Sequence, residues 1–139
     1  EFGYPTGSTY RSYCDSKLAA VVFAGELRRR AERADSDVTA VAAHPGWGAT
    51  AIFDTGGPPA FVTLLGRLAG AIQSPADGAQ PVLIAATDPD PGEYYGPTRR
   101  RGSAGPAGVV PLPGPALDQG IGERLWERSA ELTGIAFAL

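Results

Sequence analysis

Leu18 to Ala24 are apolar all round a helical wheel before "ELRRRAERAD" turns polar. The segment from Thr9 to about Ala34 is therefore expected to be a helix buried on more than one side. The next run, "DVTAVAAHPG", is largely apolar, of strand length and closed by Pro45-Gly46. It reads as a parallel strand over 38–44, covered on both faces. Residues 51–73 are broken by Gly and Pro and then apolar again, which suits a loop carrying a short helix over a cavity, a lid. A helix opens at "SPADGAQPVLIAATD", where Ser74 can act as N-cap, Pro75 takes the first helical position and Asp77 favours the first turn. "PGEYYGP" reads as a short strand and turn, and the Gly/Pro-rich residues 97–118 as surface. A loosely helical stripe of Ile121, Leu125, Trp126, Ala130 and Leu132 closes the chain from about 119 to 133, with Gly134 as its stop. Helix, strand, helix, strand, helix is an α/β pattern with parallel crossovers, half of a doubly wound parallel sheet.

At 139 residues the chain is about one domain long. Its 43% apolar and 19% charged residues exclude a disordered chain, and a net charge of −3 gives no electrostatic reason to expect nucleic acid or an acidic membrane as partner. Cys14 is the single cysteine and His44 the single histidine, so an internal disulfide, a metal site and a histidine-based triad are all excluded for these residues. No apolar run of about 18 residues occurs, and the N-terminal residues lack the order of a signal peptide, so a soluble cytoplasmic protein is the expectation. The chain opens on Glu1 and contains no methionine, which reads as a piece of something longer.

The chemistry begins in "STYRSYCDSKLAA", where Tyr13 and Lys17 stand four residues apart on the apolar helix. Side chains at i and i+4 share a helix face, so a phenol and an ammonium can meet one substrate there. A positive charge close to the phenol favours its ionised form, and such a phenol can give a proton to a developing alkoxide or take one from an alcohol. Spacing alone leaves a chance pair as the commoner reading. No G-x-G-x-x-G turn follows a strand, and "GGPP" and "GSAGPAG" are read as following no strand and opening no helix.

"YCDSKLA" resembles the Tyr-x-x-x-Lys signature of the short-chain dehydrogenase/reductase family, and "HPGWGAT" resembles that family's Pro-Gly-x-x-x-Thr turn after the next strand. The helix from Ser74, "YYGP" and the ending "RLWERSAELTGI" look like the C-terminal half of the retinol-dehydrogenase-like members. The resemblance implies a Rossmann-like fold of which the cofactor-binding N-terminal half, with its glycine-rich turn and catalytic serine, lies upstream. It implies Tyr13 as catalytic acid/base and Lys17 as the residue that holds the nicotinamide ribose hydroxyls of NADP or NAD, NADP being slightly favoured. Pro45, Gly46, Gly48 and Thr50 would border the nicotinamide carboxamide and phosphates, while Trp47 and Phe53 would face the substrate, although plain packing accounts for Trp47 equally well. The function implied is hydride transfer between an alcohol and a carbonyl of an apolar small molecule, with a homo-oligomer formed through the helix 9–34 as a further possibility. A non-catalytic remnant or interaction module keeping half the fold is the alternative. Ser8 and Ser12 read as caps of the tyrosine's helix, Tyr10 as packing or surface, His44 as a strand terminator, and Arg99, Arg100 and Arg101 as a solvated turn.

Overall fold

The computed structural model describes residues 9–46, 60–68 and 72–137. In chain order these form helix α1 (Thr9–Arg33), strand β1 (Ala42–Ala43), helices α2 (Ala60–Leu68) and α3 (Pro75–Thr87), strands β2 (Tyr94–Arg99) and β3 (Ala104–Val109), and helices α4 (Gly114–Leu117) and α5 (Gln119–Thr133). They divide between two units, one drawn from Glu1–Ala40 with Leu112–Leu139 and the other from Val41–Pro111.

In the first unit α1 packs on α4 and α5. Gly25 faces the Ala116 carbonyl, and Phe23 stacks on Trp126 with ring centroids 4.9 Å apart. The Arg30 guanidinium lies 4.6 Å from the Trp126 ring centroid, a cation–π contact. Asp118 caps α5 by accepting from the Ile121 amide at 3.0 Å, and Gly134 ends it in the left-handed conformation that glycine adopts without penalty. Burial on α1 is narrower than its apolar run suggests: Val22 and Ala31 are buried, while Phe23 is 36% exposed. The least exposed residue of the polar end is a carboxylate, Glu26, at 0%. Glu26 receives Arg29, Arg30 and Arg33 at 3.0, 2.7 and 3.3 Å, and Gly122 of α5 makes room, since any Cβ there would strike the Arg29 guanidinium.

The second unit is built on a three-stranded mixed sheet in the order β1-β2-β3. Two expectations are corrected here. Ladder pairing of β1 with β2 begins only where the Ala42 amide reaches the Glu93 carbonyl, so the strand expected over 38–44 contracts to two residues; upstream, the Val38 amide turns to the Ser36 hydroxyl instead. The parallel sheet is also mixed, because "GSAGPAG", expected as surface, follows β2 and supplies β3 as its antiparallel partner. A bulge between Pro97 and Arg99 kinks that pairing. "GGPP", expected to open no helix, lies outside the described residues and directly precedes α2 in sequence.

Helix α3 packs on all three strands of this unit and starts as its residues dictate. The Ser74 hydroxyl accepts from the Asp77 amide at 3.1 Å, with Pro75 in the first turn. Its C-terminal end is tied to β2 by Tyr95, 1% exposed, whose hydroxyl donates to Asp88 at 2.6 Å and accepts from the Gly92 amide at 2.9 Å. Helix α2 lies in the expected lid and presents Phe61, Leu64, Leu65 and Leu68 as an exposed stripe.

Candidate active site

Helical geometry on α1 brings Tyr13 and Lys17 together. The Lys17 Nζ lies 5.4 Å from the centroid of the Tyr13 ring. Both side chains are exposed, Tyr13 by 45%, so phenol and ammonium are open to a ligand arriving from solvent. The Ser16 hydroxyl donates back to the Tyr13 carbonyl at 2.7 Å. Cys14 is exposed beside them.

The Pro45-Gly46 turn follows β1 in the other unit. Gly46 has φ +70°, and a Cβ there would meet the Pro97 ring and the Ser103 carbonyl at 2.6 Å. Conformation and space each require glycine. The Gly46 amide donates to His44 Nδ1 at 3.3 Å. The His44 imidazole lies against Tyr94, with centroids 5.1 Å apart, and over the backbone of Gly96, where no Cβ would fit. Burial holds the His44 pKa below its ordinary value, which favours the neutral ring whose Nδ1 can accept that bond. Burial also pushes the Tyr94 pKa up.

Two further residues hold this turn, and the sequence pattern did not mark either. Gln73, 7% exposed, donates through Nε2 to the Pro45 carbonyl at 2.8 Å and accepts at Oε1 from the Gly105 amide at 2.8 Å. Gly78 on α3 faces the Pro45 ring so closely that its absent Cβ would lie 3.4 Å from the Pro45 Cβ. The one available signal for Gln73 is an amide set between the apolar "LAGAI" and the Ser74-Pro75 helix start.

Of the other residues expected at the site, Trp47, Gly48, Thr50 and Phe53 lie outside the described residues. No group of three or more metal-ligating side chains occurs among the described residues. Nor is any described helix long and apolar enough to cross a membrane. A separate apolar cleft of about 330 Å³ opens between Phe23 and Leu27 of α1, Trp126 and Ala130 of α5, and Ile135 and Phe137. Among the described residues no titratable side chain lines it.

Proteins similar to this chain include dehydrogenases and reductases. It is 35% identical over 130 residues to human dehydrogenase/reductase SDR family member 13, a match spanning 90% of this chain and 32% of that protein. It is 34% identical over 136 residues to human retinol dehydrogenase 13, spanning 92% and 38%. The short chain dehydrogenase resG of Aspergillus sclerotiorum is 34% identical over 125 residues, spanning 90% and 33%. No protein-family model matches. The crystal structure of an uncharacterized protein from Mycobacterium paratuberculosis superposes with a TM-score of 0.73 at 32% identity, covering 99% of this chain and 44% of that one. The chain is thus a homologue of the short-chain dehydrogenase/reductase family, and it spans about a third of the length of the curated relatives it matches.

Proposed function

We propose that the chain is the catalytic and C-terminal part of an NAD(P)-dependent short-chain dehydrogenase/reductase, active within a polypeptide of its relatives' length. It would carry the C-terminal half of a Rossmann-like, doubly wound sheet and interconvert an alcohol and a carbonyl on an apolar small molecule. The observation that carries this reading is the Tyr13-Lys17 pair, with Nζ 5.4 Å from the ring centroid and both groups open to solvent. The similarity to dehydrogenases and reductases over nine-tenths of the chain supports it.

The donor set suits the nicotinamide end of NADP or NAD. An exposed ammonium is a natural partner for ribose hydroxyls, and Tyr13 stands next to it. The glycine-rich "GSAGPAG" follows β2 but runs into β3 and opens no α-helix N-terminus for a pyrophosphate, so that task falls to residues outside those described. When bound, NAD(P) supplies or accepts the hydride. The Tyr13 hydroxyl gives its proton to the oxygen of a carbonyl substrate as that oxygen gains charge, or receives one from an alcohol in the reverse direction. Lys17 orients the ribose and places a positive charge beside the phenol, stabilising the charge that develops there. The Pro45-Gly46 turn would border the carboxamide, and Gly48 and Thr50, which come soon after it in sequence, are the further residues assigned to the cofactor. Trp47, Phe53 and the α2 stripe would meet the apolar part of the substrate.

In the longer polypeptide, Tyr13→Phe deletes the transferable proton and keeps the ring. It should lower kcat by about 10²- to 10⁴-fold and leave cofactor affinity nearly unchanged, whereas Lys17→Ala should harm both. Normal turnover by Tyr13→Phe would refute the assignment of Tyr13, whereas no turnover by the unsubstituted longer polypeptide would favour the non-catalytic alternative.

A further inference from the structure

Two backbone groups beside the Pro45-Gly46 turn have no partner in the sheet. The β1–β2 register ends at Ala43 and Tyr95, with one further bond from the His44 amide to the Tyr95 carbonyl, which leaves the Pro45 carbonyl beyond the ladder. On the other side, the bulge that pairs Pro97 with Ala107 and Arg99 with Ala104 leaves Gly105 out of register, at φ +115°. A carbonyl and an amide are thus orphaned together, one needing a donor and the other an acceptor. A primary amide side chain offers both, and Gln73 spends one end on each at 2.8 Å. A carboxylate would lack the donor, and an aliphatic chain would lack both.

We infer that Gln73 is a positioning residue for the dinucleotide, fixing the Pro45-Gly46 turn in the orientation that receives the nicotinamide end. This rests on the function proposed above. Gln73 does not itself touch the cofactor. It acts by holding the plane of the Pro45-Gly46 peptide. The rest of the surroundings confine the turn without orienting that carbonyl: Pro97 and Ser103 crowd Gly46, and His44 takes the Gly46 amide. Gln73 is the side chain that grips the Pro45 carbonyl and ties it to β3.

Two variants of the longer polypeptide test this. Gln73→Glu keeps the size and the acceptor for Gly105 but at neutral pH has no proton for the Pro45 carbonyl; Gln73→Leu removes both bonds. The readouts are the dissociation constants of NADPH and NADH by calorimetry, the split between cofactor KM and kcat, and amide hydrogen exchange at Gly46 and Gly105. For Gln73→Glu we expect dinucleotide binding weakened about 10-fold, kcat within about 2-fold, exchange faster at Gly46 and unchanged at Gly105. Affinity should recover as the pH is lowered and the new carboxyl regains a proton to donate. In Gln73→Leu both amides should exchange faster. An unchanged dissociation constant in Gln73→Glu, with a lowered melting temperature, would reduce Gln73 to a structural clip and overturn the proposal. Should the unsubstituted protein itself bind neither nucleotide, the functional reading fails and this inference falls with it, an outcome distinct from a binding parent with indifferent variants.

Discussion

Glu26 is wholly enclosed, but none of its partners is: the Arg29, Arg30 and Arg33 side chains remain 27%, 31% and 55% exposed. A fully buried ion pair broken on one side costs about 3–5 kcal/mol, and the wet arginines here screen part of that. Glu26→Gln should therefore destabilise the protein by about 1–3 kcal/mol, read as a lower urea midpoint with an unchanged slope. An unaltered midpoint would mean that the cluster behaves as ordinary surface pairs. Nothing local in "ELRRRAERAD" announces this burial. It depends on the missing side chain of Gly122, far along the chain, and on the packing of α5. The Tyr13-Lys17 pair is legible for the opposite reason, because helical periodicity alone fixes which residues four apart share a face. Gln73 belongs with Glu26: both its partners come from other elements, and an isolated glutamine carries no pattern.

At the scale of elements, the hydrogen bond between Tyr95 and Asp88 decides how the α3–β2 junction answers pH. The Tyr95 hydroxyl, donating to Asp88, holds that carboxyl below its usual range, with the Asp90 amide adding to the effect. The same bond to Asp88, with burial, pushes the Tyr95 phenol up. A carboxyl with a lowered folded pKa adds stability that is present above its unfolded value, about 4, and lost as the pH falls through the folded value. A phenol with a raised folded pKa adds stability that is complete below about pH 10 and lost as the pH rises through the folded value. Melting temperature against pH should thus decline at both extremes, and Tyr95→Phe should flatten both limbs while lowering the plateau. Limbs of unchanged steepness in that variant would place the titrating groups elsewhere. The elements themselves were legible wherever a cap is written beside them. Ser74-Pro75 starts α3, Asp118 caps α5, Gly134 stops it, and each acts over a single turn. Strand β3 was not legible, because "SAGPAG" has neither alternation nor β-branched residues and becomes a strand only through its pairing with β2. The extent of β1 failed for a related reason: an apolar run gives the tendency, and the ladder decides where the strand begins.

For the molecule as a whole, the matched relatives are about three times as long as this chain, and their similarity to it is spread over nine-tenths of its residues. In the function proposed above, the described residues assigned to the dinucleotide meet its nicotinamide end. The 139 residues alone should accordingly be catalytically silent and bind NADPH or NADH more weakly than the low micromolar range. Calorimetric titration of the purified chain checks this directly, and a tight isotherm would reveal a phosphate site among these residues. The choice between NADP and NAD, like the identity of the substrate, could not be read, because the residues that meet the adenosine ribose and the reacting carbon are not fixed by any pattern here.

The chain has only two tryptophans, and they fall in different units. Trp126 is 7% exposed, stacked on Phe23 and overlain by Arg30, while Trp47 directly follows the Gly46 turn. Fluorescence can therefore address the units one at a time. With Trp47 replaced by phenylalanine, the remaining indole is shielded from water, and its emission should shift to the red only when α5 leaves α1. With Trp126 replaced instead, the signal belongs to the neighbourhood of the proposed nicotinamide site and would report a dinucleotide's arrival there by quenching or energy transfer.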